Sequence, residues 1–218
     1  MRAGNLTVAF TLVAVATAAP AVAQGRIGSI AVASWAGVAQ QDDDLVAYDT
    51  SLRWGGGVHV ERALGGRTAL VVETLLVDRG ARGFASGSLG GGIEGSLETD
   101  VRLRYIEDAA LFRWDALSGA VRPYLAGGLS LGYLEDATVR TFVDGGSESV
   151  DVTSDLNRFD VGLLAAAGVS GPLGKARWFV EGRFCQGLLN LDRSGETHVV
   201  KYSLDVSAGF TVAFGGRS

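Results

Sequence analysis

The stretch "YSLDVSAGFTVAF" (202–214) alternates without a slip. Tyr202, Leu204, Val206, Ala208, Phe210, Val212 and Phe214 fall on one face, and Ser203, Asp205, Ser207, Gly209, Thr211 and Ala213 on the other. A side-chain period of two belongs to a strand. The same period runs through 27–40, 51–62, 68–80, 97–114, 121–134, 157–170 and 177–191, with several internal glycines that disfavour helix. Beyond the N-terminus no stretch reaches the ~20 apolar residues of a membrane helix. A chain of this kind spans a membrane with strands or not at all.

The connections alternate in length. "ALGG", "DALSGA" and "GPLGK" are short, whereas "QDDDLVAYDT", "ARGFASGSLGGGIEGS", "EDATVRTFVDGGSESVDVTSD" and "DRSGETHV" are long and polar. An up-and-down antiparallel barrel requires this rhythm, with long loops at one end and tight turns at the other; a Greek-key sandwich does not. The expected fold is all-β, an antiparallel up-and-down transmembrane β-barrel of about eight strands. Loops near Asp43, Gly91, Gly146 and Gly195 should lie outside the cell, and turns near Gly65, Ser118 and Gly174 inside.

The first residues, "MRAGNLTVAFTLVAVATAAPAVAQ", carry Arg2, an apolar run and an A-x-A site at Ala21–Ala23. That combination predicts a cleaved signal peptide over 1–23 and a barrel domain over 24–218.

The two faces differ in kind. One collects Leu52, Trp54, Val58, Leu125, Leu129, Leu131, Phe159, Leu163, Val180 and Phe184; the other holds Arg53, His59, Glu61, Ser130 and Asp160 among many small residues. Arginine, carboxylates and small residues suit a narrow closed interior where opposite charges pair. Strand parity predicts a lumen ionic network of Glu73, Arg102, Arg122, Glu181, Arg183 and Asp205. Trp54, Trp114, Tyr124, Trp178, Tyr202 and Phe214, near strand ends, suit interfacial girdles. The greasy face of the opening stretch should then touch lipid.

Other chemistry finds little support. A net charge of -5 supplies no basic stripe for nucleic acid. Cys185 is the sole cysteine, so no internal disulfide forms, and no Cys/His spacing predicts a metal or cofactor. His198 lies near Ser194 and Glu196, but a loop trio needs no active site, and His59 sits among lumen charges. "GSLGGGIEG" lacks the strand–loop–helix context of a phosphate-cradling loop. The sequence assigns no catalytic residue.

"VRPYLAGGLSLGYL" resembles the "PY-small-small-G-x-x-x-G-Y" strand of the PorT-like outer-membrane β-barrel family, relatives of the small OmpX- and OmpA-type barrels. "VVETLLVDRGAR" is similar to that family's third strand, and "RYIEDAALFRW" to its fourth through Tyr105, Ile106 and Glu107, with Asp108 and Ala109 replacing an aliphatic residue and a proline. The final "SAGFTVAF" resembles the C-terminal signal read by the barrel assembly machinery, carried by Gly209, Phe210, Val212 and Phe214, here followed by "GGRS". The resemblance implies a porin-family protein in the outer membrane of a Gram-negative-type cell, with outer-membrane lipid and lipopolysaccharide as partners.

The expected function is non-enzymatic: a polar, plugged cylinder with a structural or surface-loop binding role. Acidic residues Asp42, Asp43, Asp44, Asp144, Glu148, Asp151 and Asp155 enrich the long loops and could bridge divalent cations to lipopolysaccharide phosphates. A secreted soluble lipocalin-like carrier with an apolar interior is the first alternative, and a lipid-modifying outer-membrane enzyme the second.

Overall fold

The computed structural model describes residues 25–40, 47–88, 94–143, 146–191, 193 and 199–214. The expected signal peptide, Asp42, Asp43, Asp44, Asp144, Ser194, Glu196 and His198 lie outside these residues. The strands are β1 (Gly25–Gln40), β2 (Ala47–Gly65), β3 (Thr68–Ser88), β4 (Glu94–Asp115), β5 (Arg122–Val143), β6 (Gly146–Asp151), β7 (Phe159–Leu173), β8 (Ala176–Gly187) and β9 (Val199–Phe214). Every pairing is antiparallel. β1 pairs with β2 and β9, and β4 with β3 and β5, so eight strands close in the order β1-β2-β3-β4-β5-β7-β8-β9. β6 stands outside the ring, paired to the far half of β5.

The tight turns follow from their glycines. Gly66–Arg67 and Gly174–Lys175 each join two strands through two residues, and Gly66 and Gly174 adopt a φ of +59°. A glycine at the first position with positive φ is what a type II′ hairpin turn requires, and its twist matches that of the strands it joins. A different constraint acts at Gly209 on β9. A Cβ there would lie 2.2 Å from the Ser29 carbonyl oxygen and 2.6 Å from the Phe179 ring, so only hydrogen fits where β1 and β9 meet.

The apolar face points outward. Trp54 is 67% exposed, Leu204 58% and Phe210 56%, and Leu125, Leu129 and Leu131 continue the surface. On β4 this band runs from Trp114 to the first outward arginine, Arg104. Those ten steps span about 25 Å at ~3.3 Å per residue and ~40° tilt, the height of a membrane barrel's apolar band. Trp114 and Phe214 border it at the short-turn end; Trp35, Trp54 and the edge-to-face pair Tyr133–Phe159 border it at the other.

Several boundaries differ from those the sequence predicts. The long connections 81–96 and 135–155 are largely strand: β3 and β4 pair out to Ser88↔Glu94, and β5 and β6 form a hairpin beyond the band. Outside the lipid-height band no apolar face is needed, so polar, glycine-rich sequence extends strands there while looking like loop. The run 177–191 stops pairing at Gly187. Tyr124 points inward and is buried, not in the girdle, because it follows the inner parity of β5.

Candidate functional site: a charged lumen

The inner positions bring charges from most of the ring into two clusters. In the lower cluster, nearer the short turns, Arg183 of β8 donates to both Glu73 oxygens on β3, at 2.7 and 3.1 Å. β3 and β8 stand four places apart in the eight-membered ring, so this pair spans the full diameter. Arg183 also binds Glu181 on its own strand, and Tyr124 OH donates to the other Glu181 oxygen at 2.8 Å. His59 Nδ1 lies 2.7 Å from Glu73 Oε1, with its ring against Phe179. Below them Arg113 reaches Glu61 at 3.0 Å, Asp115 at 2.9 Å and Ser170 Oγ at 2.7 Å, while its guanidinium stacks on Tyr124.

The upper cluster turns on Arg79. It donates to both Glu107 oxygens at 3.1 Å, to Ser203 Oγ at 2.7 Å, to Ser34 Oγ at 3.0 Å and to Asp205 at 3.2 Å. Lys201 lies 2.7 Å from Asp160 and 3.7 Å from Glu107, and its ammonium sits over the Tyr105 ring. Val71, Ala109, Leu111, Leu164 and Cys185 form a small apolar layer, with Val71 and Leu111 on the wall of the lower cluster. Above them Val77, Leu103, Tyr105, Leu134 and Ala137 form another, onto which Val152 and Leu156 pack from the segment after β6. Buried charges persist only when paired and hydrogen-bonded, and these guanidiniums meet that condition.

Of the residues assigned to the lumen network from sequence, Glu73, Glu181 and Arg183 meet in the lower cluster and Asp205 belongs to the upper one. Arg102 does not enter the lumen. It faces outward beyond the apolar band and, with Arg104, binds Asp78. The inner parity of β4 belongs instead to Tyr105, Glu107, Ala109, Leu111 and Arg113. Arg122 points inward at the short-turn mouth, 3.7 Å from Asp115 at the edge of the lower cluster. Sequence reading missed Arg79, Glu107, Arg113 and Lys201; the alternation of β3, with Glu73, Leu75, Val77 and Arg79 on one parity, carried the signal for Arg79.

Among the described residues, a carboxyl also stands on the outer face at mid-band. Asp108 faces outward in the middle of the β4 band, covered by its neighbours, and accepts a 2.5 Å hydrogen bond from Thr74 Oγ1 on β3.

A closed eight-stranded barrel with an apolar belt outside and ion pairs within is a membrane-spanning β-barrel; a soluble carrier of the lipocalin kind would place these surfaces the other way round. Residues 28–193 match the family model of the outer membrane protein beta-barrel domain, and the chain belongs to that family. It is an outer-membrane β-barrel protein. No curated protein matches the chain. Among solved structures it is similar to Neisserial surface protein A, with 18% identity, a TM-score of 0.47, and coverage of 87% of this chain and 97% of that one. It is also similar to the outer membrane protein OprG from Pseudomonas aeruginosa, with 11% identity, a TM-score of 0.46, and coverage of 88% and 96%. A third is Ail, the attachment invasion locus protein of Yersinia pestis, with 14% identity, a TM-score of 0.40, and coverage of 87% and 98%.

Proposed function

We propose that this protein is a non-enzymatic outer-membrane cylinder whose lumen is closed by ionic cross-braces and whose long-loop end acts outside the cell as a structural or binding surface. The observation that carries this reading is the Arg183–Glu73 pair, because a contact spanning the diameter of an eight-stranded barrel, flanked by Glu181, Tyr124, His59 and Phe179, narrows the lumen at its level. The apolar packing of Val152 and Leu156 above it supports the same conclusion. In planar lipid bilayers the purified protein should give no stable conductance steps, and Glu73→Gln/Arg183→Gln should admit small ions if the brace is the barrier. Steady conductance by the unaltered protein contradicts the plug.

Lipopolysaccharide contact is supported by Arg102 and Arg104, which stand on the outer wall just beyond the band, at headgroup height. The short turns then face the periplasm, which accessibility of a tag at Gly174 in intact cells would disprove. Export through a signal peptide cleaved after residue 23, assembly through Gly209, Phe210, Val212 and Phe214, and membership of the PorT-like branch complete the reading. Its supports are the N-terminal sequence, the last strand and the "VRPYLAGGLSLGYL" motif.

A further inference from the structure

The short-turn end of the lumen opens into a cavity of about 180 Å³ lined by Arg26, Arg67, Arg122 and Arg177 with Glu61 and Asp115. Arg113 lies beneath and takes up both carboxylates, at 3.0 Å from Glu61 and 2.9 Å from Asp115. Among the described residues, the cationic side chains left at the mouth have longer ion pairs: Arg177 lies 3.9 Å from Glu61 and Arg122 3.7 Å from Asp115. Counting the described residues, five guanidiniums against two carboxylates leave three positive charges in excess at this mouth.

These arginines are held in place with donors to spare. Arg26 spends Nε and Nη2 on the Thr211 hydroxyl and carbonyl. Arg67 gives Nη1 to the Ala116 carbonyl and lies over the Trp114 ring. Arg122 gives Nε to the Gly119 carbonyl. Each guanidinium carries five N–H donors, so most of the set remains available to a guest. The room suffices for roughly six waters at ~30 Å³ each, and so for one small tetrahedral anion with part of its hydration shell. Several converging arginines favour a multiply charged phosphate over a single carboxylate or chloride, since planar forks bind its oxygens pairwise.

We propose that this vestibule binds a phosphate-type oxyanion, supplied either by a free phosphate monoester or by a phospholipid headgroup at the adjacent membrane surface. The assignment rests on the cavity and its arginines; only the compartment that supplies the anion rests on the orientation proposed above.

The test uses the full-length protein in dodecyl maltoside micelles, which contain no phosphate, titrated with inorganic phosphate and glycerol 3-phosphate. Trp114 fluorescence and ³¹P line broadening are the readouts, neither of which depends on orientation. Saturable binding is expected, with chloride and acetate at least tenfold weaker. Arg122→Gln and Arg177→Gln should each weaken phosphate at least tenfold, while Arg140→Gln at the opposite end changes nothing. Arg122 is exposed enough to be replaced without unfolding the barrel, which heat-modifiable migration checks. In phosphatidylglycerol nanodiscs, loss of phosphate binding through competition identifies the headgroup as the source, and unchanged affinity identifies a soluble phosphate; both support the site. Failure to saturate in micelles, or unchanged affinity in both mouth variants, overturns it.

Discussion

Arg183 and Glu73 stand 110 residues apart in the chain and half a circumference apart in the barrel, yet two hydrogen bonds of 2.7 and 3.1 Å join them. Glu73→Ala strands Arg183 beside one remaining carboxylate and His59 without a partner. The expected loss is about 3–5 kcal/mol, read as a lower urea midpoint for unfolding from lipid vesicles. Glu73→Leu/Arg183→Met/Glu181→Gln should recover much of it, because it removes the desolvated charges of the cluster together and leaves Tyr124 an acceptor. Equal destabilisation by the single and triple variants would show that packing, not pairing, matters at this level.

Asp108 makes the opposite case. Its carboxyl lies on the outer face at mid-band with the Thr74 hydroxyl as its hydrogen-bond donor. Acidic groups on a lipid face are unfavourable, though less so than basic ones. Asp108→Leu should therefore raise stability by on the order of 1 kcal/mol, and Thr74→Val should lower it by a similar amount through loss of the bond. A less stable Asp108→Leu barrel would show that the hydrogen bond to Thr74 outweighs the cost of a covered carboxyl on the apolar wall.

Val206 and Phe210 face outward, whereas Ser207 is buried inside with its hydroxyl unbonded. Val206→Arg should cost about 2–4 kcal/mol if Val206 sits near the midplane, and Ser207→Ala should be neutral. Cysteines introduced at Val206 or Phe210 in a Cys185→Ala background, labelled with a polarity-sensitive dye, should be strongly quenched by lipid-borne quenchers. A dye at Ser207 should be quenched weakly. Equal quenching at all three positions would refute the assignment of faces.

Gly209 belongs to the terminal stretch expected to be read by the assembly machinery, and it also has a steric duty against Ser29 and Phe179. Gly209→Ala should thus slow or prevent refolding of the purified chain into detergent, where no machinery is present. Normal refolding in vitro with defective assembly in cells would assign the glycine to recognition alone.

The sequence revealed the ring because lipid imposes period two wherever a strand crosses it, and the Gly-x turns mark the β2–β3 and β7–β8 hairpins. It was less informative where that constraint lapses. Beyond the band β4 turns its charges outward and its apolar residues inward, with Arg102 and Arg104 outside and Leu103 buried within, so a charge no longer marks the inner face and parity counted from Arg102 misleads. Tyr124 misleads for a related reason: near a strand end an aromatic serves either as girdle or as inner partner, and Arg113 and Glu181 decide for the latter. Which charges pair across the lumen depends on strand stagger, which no local pattern encodes.

The seam between β1 and β9 holds sixteen residue pairs, from Gly25↔Phe214 to Gln40↔Val199. The strand that emerges earliest therefore waits for the one that emerges last before its second edge is satisfied. Every shorter length of the chain, wherever it is cut, presents two raw hydrogen-bonding margins flanked by greasy side chains, the arrangement most prone to promiscuous pairing. Maturation cannot then be gradual: both margins stay raw until β9 arrives and are satisfied in a single late act.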